Sequence, residues 1–141
     1  MRNQNEKKVK HLIYSSNPVG FNDDVIKEIL AVSRDNNRKT DITGALIYRQ
    51  DLYLQFLEGP EDEVNKTYEK IMTDKRHNDL HKLSESIGSR RLFSTWAMRG
   101  DPVETWMWSY EEVKSGLLKN LSAQEAIAAF EKLSRDVDQF N

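Results

Sequence analysis

The chain's apolar positions change period along its length. Val9 to Tyr14 alternate as a strand does, with Leu12 and Tyr14 on one face and Val9, His11 and Ile13 on the other. Ser15 to Phe21 contains Pro18 and Gly20 and is expected to be a loop. Asn22, followed by Asp23 and Asp24, places a capping residue and two acids at the positive end of a helix. That helix is expected to reach about Asn37. Its buried stripe is Ile26, Ile29 and Leu30, and the same spacing then lands on Ser33 and Asn37. Ile42 to Tyr48 and Leu52 to Leu57, separated by Arg49, Gln50 and Asp51, read as a β-hairpin. Gly59-Pro60-Glu61-Asp62-Glu63 opens a second helix, with Val64, Thr67, Tyr68, Ile71 and Met72 inward and Asp74 at the inner edge.

Leu83 to Ile87 is a weak edge strand and Leu92 to Met98 a better one, in which Ser94, Trp96 and Met98 share a face. Ser109 to Asn120 is expected to be a short helix. Ser122-x-x-Glu125 is a capping box that opens another, with Ala126, Phe130, Leu133, Val137 and Phe140 at alternating steps of four and three. Trp106 and Trp108, in the connection, read as packing residues or a contact surface.

This order of elements predicts an α+β, ferredoxin-like sandwich with a five-stranded mixed sheet and two helices on one face. The first and third strands then lie side by side, which brings Tyr14 near Gln55. The run around Gln55 is apolar at both parities, so the other face needs cover, and the C-terminal helices supply it. The expected division is a polar tail over residues 1–8, a main domain over 9–100 and a helical cap over 101–141.

Composition narrows the function. The 141 residues suffice for one domain, and 31% of them are charged. The formal net charge of −2 and the absence of any Lys/Arg run longer than two argue against a nucleic-acid partner. No apolar segment is long enough to span a bilayer, and the polar start lacks the core of a signal peptide, so the expectation is a cytoplasmic protein away from membranes. With no cysteine, disulfides, thiolate nucleophiles and covalent cysteinyl adducts are excluded.

The polar residues that interrupt apolar patterns carry the candidate chemistry. A buried Gln55 amide needs partners, because unpaired polar groups in a core cost about 1–3 kcal/mol. Backbone groups or a bound polar ligand would both serve. Ser33 could bond back to its own helix and Asn37 could cap its end, or both could face something polar held against the sheet. Asp74-x-Arg76-His77 is either a solvated charge run or an anion site with a forked donor. His77 and His81 have no third ligand in view, so no metal is expected.

Together, Tyr14, Asn37 followed by Ile42-Thr43-Gly44, Gln55-Phe56-Leu57-Glu58-Gly59-Pro60, Asp74-x-Arg76-His77 and Phe93-x-x-Trp96-x-Met98 resemble the BLUF domain, the blue-light sensor that uses flavin. The likeness covers roughly residues 8 to 100 and is to short members with C-terminal helices. It implies non-covalent FAD between the two helices, with FMN or riboflavin as possible substitutes. By the same resemblance Asn37, with Asn36 assisting, would bond the ring's pyrimidine edge. Ser33 and Ile29 would line the ring, Asp74 would approach the ribityl chain, and Arg76 and His77 would meet the phosphates. Tyr14 and Gln55 would be the photoactive pair, and Trp96 and Met98 would compete for the place beside Gln55.

The family model is electron and proton donation from Tyr14, followed by a reoriented or tautomerised Gln55 amide that changes its hydrogen bonds to the flavin carbonyl and gives a small red shift of the flavin band. No enzymatic activity is expected. No output domain is visible, so the signal would pass through the last strand and C-terminal helices to a downstream protein partner or alter a homo-oligomer. Three readings compete with the sensor. An acylphosphatase-like enzyme would need an arginine in the loop Ser15 to Gly20, which has none. A small flavin oxidoreductase lacks a visible second cofactor motif. A flavin-free interaction module is the third.

Overall fold

Each of the eight residues of Leu52–Gly59 is buried, and the molecule is layered around them. The computed structural model describes residues 8–140, with side chains described to residue 136. The elements in chain order are β1 (Val9–Pro18), α1 (Asp23–Thr40), β2 (Thr43–Arg49), β3 (Leu52–Gly59), α2 (Glu61–Met72), β4 (His77–Gly88), β5 (Arg99–Pro102), α3 (Tyr110–Lys114), a 3-10 turn (Leu118–Asn120) and α4 (Ala123–Phe140). They form the expected ferredoxin-like α+β architecture with a sheet ordered β4-β1-β3-β2-β5. β3 is antiparallel to β1 and β2, β4 is antiparallel to β1, and β5 is parallel to β2.

The period of two along β1 and β3 sorts side chains into two cores. Leu12, Tyr14, Leu46 and Leu57 pack with Ile26 and Leu30 of α1 and with Val64 and Tyr68 of α2. On the opposite face, Ile13, Ala45, Ile47, Leu54 and Phe56 pack with Phe93, Leu118 and Ala126, Phe130 and Leu133 of α4. The doubly apolar β3 is thus explained by helices on both sides. Asn22 caps α1 by accepting from the Val25 amide at 2.8 Å. The Ser122–Glu125 box closes reciprocally at 3.1 and 3.0 Å before α4.

The largest correction concerns Leu92 to Met98, which is a chain of bends and turns; the fifth strand is Arg99–Pro102. Side chains, a turn and a single backbone bond from β2 satisfy this segment in place of a continuous strand ladder. The fully buried Glu58 carboxylate accepts from the Leu92 and Phe93 amides at 2.7 Å each and from the Thr43 hydroxyl at 2.9 Å. The Trp96 amide donates to the Phe93 carbonyl at 3.1 Å. Ser94, Trp96 and Met98 therefore do not share a strand face.

Other boundaries also differ. β1 continues through the expected loop to Pro18, which sits at the strand end where a missing N–H is tolerated. β4 is longer than Leu83 to Ile87 because backbone pairing with β1 carries it, across two register shifts. The helix expected over Ser109 to Asn120 stops at Lys114, since Gly116 takes a positive φ of 92°. Met72 is exposed rather than inward, while α1 runs three residues past Asn37. The side chains of Val137 and Phe140 lie outside the described residues, as does the tail up to Lys7.

Phe130 is wholly buried, with its ring centroid 5.3 Å from Phe56 and 6.2 Å from Phe93. Truncating such a ring leaves a cavity as well as losing transfer free energy, so Phe130→Ala should cost about 3–5 kcal/mol in urea unfolding. A loss below about 1 kcal/mol would mean that α4 contributes little to the far core.

Candidate functional site

Strand register alone brings the first two functional groups together. Tyr14 of β1 lies directly opposite Gln55 of β3, and Gln55 lies opposite Leu46 of β2 on its other side. Residues directly opposite in an antiparallel pair share a face, so both side chains turn toward α1 and α2, as Leu12 and Leu57 do. The Tyr14 hydroxyl donates to Gln55 Oε1, and Gln55 Nε2 reaches Met98 Sδ at 3.4 Å. All three residues are buried. The carboxamide thus spends its acceptor on a phenol and one donor on a thioether, two partners of unequal strength.

Burial pushes the Tyr14 phenol well above its ordinary pKa, with smaller contributions from Tyr68, Asp74 and Tyr53. Its ring meets Tyr68 at 5.7 Å and the His77 ring edge-on at 6.1 Å. His77 is itself fixed. Its Nε2 donates to the Ile71 carbonyl at 2.6 Å, and in the neutral ring Nδ1 accepts from the Ser16 hydroxyl at 2.7 Å.

A cleft of about 230 Å³ separates α1 from α2, with Gln55 and Leu57 at its floor and Ile29, Ser33, Asn36 and Asn37 along α1. Thr67, Lys70, Ile71, Asp74 and Arg76 form the other wall. A smaller hollow of about 40 Å³ continues past Gln55 to Tyr14, Leu46, Tyr53 and His77. Within it the buried Tyr53 hydroxyl has no hydrogen-bond partner, which is costly unless a ligand supplies one. Asn36 Nδ2 donates to Asn37 Oδ1 at 3.1 Å and to Thr67 Oγ1 at 3.3 Å, linking the two helices across the cleft. Amides, hydroxyls, an orphaned phenol and the cations Lys70 and Arg76, set among the apolar Ile29, Leu57 and Ile71, suit a polar ring carrying an anionic tail. The residues present therefore fit a flavin dinucleotide.

Asp74 and Arg76 form a forked pair, Nε to Oδ1 at 3.0 Å and Nη2 to Oδ2 at 2.6 Å. This bonding holds the Asp74 carboxyl below the usual carboxylate range against a smaller desolvation effect. It also leaves Arg76 Nη1 as the end of the fork directed elsewhere, 3.8 Å from Glu28. Arg76 lines both the cleft and the smaller hollow, and His77 lines the hollow against Tyr14 and Tyr53.

Met98 and Trp96 part company in the structure. Met98 stands beside Gln55, and Trp96 is 41% exposed. The segment between them is tied to its surroundings through three carbonyls: Trp96 O accepts from the Gly44 amide at 3.1 Å, Ala97 O from Asn37 Nδ2 at 2.7 Å and Met98 O from Arg34 Nε at 2.9 Å. Glycine at 44 is required for this approach, since a Cβ there would lie 2.0 Å from the Phe56 carbonyl oxygen and 3.4 Å from Met98 Cε.

Sequence reasoning missed Thr67 and Lys70 as cleft residues, together with Tyr53 and Arg34. Thr67 was visible as a polar member of an inward stripe, and Lys70 follows it at i+3. Tyr53 reads as one more apolar strand residue. Nothing in the sequence marks Arg34.

Comparison with known proteins bears on this geometry. The model of the BLUF family, described as sensors of blue-light using FAD, matches residues 9–99. A photoactivated adenylate cyclase subunit beta from Euglena longa is 25% identical over 101 residues, covering 72% of this chain and 12% of that protein. The blue light- and temperature-regulated antirepressor BluF of Escherichia coli K12 is 32% identical over 73 residues, covering 52% of this chain and 18% of that one. The chain thus spans only about an eighth to a fifth of these relatives. Among solved structures, BlsA in its photo-activated state aligns with a TM-score of 0.72 at 26% identity, over 88% of this chain and 92% of that one. The dark-state structure of BlrB, a BLUF protein, aligns at 0.77 and 23% identity, over 93% and 98%, and shares the fold.

A raised phenol pKa favours the neutral form, so its contribution to stability is present below the ordinary tyrosine value and lost as the pH rises beyond it. Parent and Tyr14→Phe proteins should therefore gain the same phenolate absorbance between about pH 9 and 11, and differ by one tyrosine only after denaturation. A variant that lacks one tyrosine's absorbance within that range would show Tyr14 to be accessible.

Proposed function

The chain belongs to the BLUF family, sensors of blue light that use FAD, and from that premise we propose that the hydrogen-bonded series Tyr14–Gln55–Met98 is the element that light resets. The observation that carries this reading is a buried carboxamide at the cleft floor, bonded to a phenol on one side and a thioether on the other. The proposed light-sensing unit is residues 9–100, with 101–141 as a helical cap. The cleft residues Ile29, Ser33, Asn36, Asn37 and Gln55 would hold the ring, with Tyr14 and Met98 on either side of Gln55. Asp74 and Arg76 would hold the ribityl chain and phosphates, with His77 behind them.

FAD when bound supplies an excited state under blue light that is a strong one-electron oxidant. Tyr14 would be the electron donor, and its hydroxyl proton would pass to Gln55 Oε1 along the existing bond. With electron and proton back on Tyr14, the Gln55 carboxamide would be left turned about its axis. Nε2 then faces the Tyr14 oxygen, which can accept, and Oε1 faces Met98 Sδ, which has no proton to give. The amide–thioether bond is lost without displacement of any strand.

That bond is worth about 1 kcal/mol, so on its own it can change a partner's affinity several-fold. The tied segment Trp96–Met98 is the route by which the change reaches β5, the far-face core and the surface. The shared family module is a sensor, and output through a separate protein, with no catalysis by this chain, is part of the proposal. Among the described residues no helix is long and apolar enough to cross a membrane.

Purified protein should be yellow and shift reversibly to the red under blue light. Tyr14→Phe should bind flavin with unchanged stoichiometry and lose the shift, as should Gln55→Leu; a full shift in either would remove that residue from the switch. Arg76→Ala should weaken FAD binding by roughly 10- to 100-fold, the value of charge-assisted bonds, with riboflavin binding little changed. Equal weakening of both ligands in calorimetric titration would place Arg76 away from the phosphates.

A further inference from the structure

On the other side of α1 from the flavin cleft, a second cleft of about 450 Å³ lies between the C-terminal half of that helix and the segment from Ser94 to Met98. We propose that this cleft is where a downstream protein docks, by an acidic peptide segment that carries an apolar side chain, an inference that rests on the light-switch reading above. Arg34 and Arg38 stand one helical turn apart on its wall. Arg38 is exposed and makes no hydrogen bond or ion pair among the described residues, and Arg34 uses only Nε, on the Met98 carbonyl. Asp41, the acid at the rim, is already paired with Arg91 at 3.1 Å. The local charge is thus positive in a chain of net −2.

Beside the arginines Trp96 presents an indole that is 41% exposed, with the exposed hydroxyl-bearing residues Ser94 and Thr95 next to it. Tryptophan and arginine are the residue types that concentrate binding energy in protein interfaces. An acidic segment answers the charge with forked carboxylate–guanidinium bonds, and an apolar side chain answers the indole. Two arginines are too few for a nucleic-acid backbone, which needs a row of cations.

The cleft is built from the atoms that the switch moves. Asn37 and Met98 line it, and the carbonyls of residues 96, 97 and 98 are those held by Gly44, Asn37 and Arg34. A change at Met98 Sδ alters the position of the same segment that carries Trp96. Docking affinity therefore differs between darkness and light, and by reciprocity an occupied cleft alters the stability of the lit state.

The test uses flavin-loaded protein and a fluorescent pool of nine-residue peptides with four Asp or Glu residues around one Leu or Phe, with a matched Lys pool as control. Anisotropy should show capture of the acidic pool only, weakened at least tenfold by Arg38→Glu and changed at least threefold by blue light, while the red shift of Arg38→Glu stays normal. An intact red shift with no capture, capture insensitive to Arg38→Glu, or equal affinity in light and dark would overturn the docking surface alone. So would preferential capture of a twelve-residue oligothymidylate, or self-association of the chain that Arg38→Glu abolishes without any peptide capture. Absence of the red shift in the parent protein would instead remove the light-switch reading itself.

Discussion

A phenol donating to a carboxamide inside a sheet is the constraint on which the rest of this structure depends. An amide has one acceptor end and one donor end at nearly the same size, so a half-turn exchanges its hydrogen-bonding sense without changing its volume. In water that exchange has no consequence. Here Tyr14, Gln55 and Met98 are all buried, and every unmet donor or acceptor costs free energy. The packing around Gln55 therefore converts a small rotation into a choice between two sets of partners.

The surrounding architecture keeps that choice narrow. Gln55 sits on the central strand, braced on both sides by antiparallel neighbours and on both faces by helices. The segment that receives the change is anchored at both ends to the same strand: Glu58 holds the amides of Leu92 and Phe93, and Gln55 holds Met98. Between these points the backbone is irregular, bonded to β2 through the Gly44 amide and to α1 through the Asn37 side chain rather than by a continuous ladder. A regular strand would resist a local shift through its whole ladder, whereas this segment is held by a few separable bonds. Such a segment suits a relay better than a scaffold.

Much of this was legible in the chain itself, for physical reasons. Periodicity identified both helices and the hairpin, and the double apolar character of β3 required cover on each face, which α4 provides. The pairing of Tyr14 with Gln55 followed from topology once the first and third strands were neighbours. Polar residues that continue apolar stripes, Ser33 and Asn37, do line the cleft. The failures have equally definite causes. Leu92 to Met98 has a strand-like pattern, but its backbone groups are claimed by Glu58, a distant buried carboxylate that local sequence does not reveal. His77 follows Arg76 in the chain, and both its ring nitrogens are engaged by tertiary partners, the Ile71 carbonyl and the Ser16 hydroxyl, that local sequence does not reveal. Arg34 and the orphaned Tyr53 hydroxyl acquire meaning only from tertiary neighbours.

The central claim is a reorientation of one side-chain amide, and light-minus-dark infrared spectroscopy of flavin-loaded protein carrying isotope-labelled glutamine observes that group directly. The expected result is a glutamine amide carbonyl band that shifts on illumination, returns in darkness and is absent from the Gln55→Leu difference spectrum. A red-shifted photoproduct formed with no change in any glutamine band would contradict it.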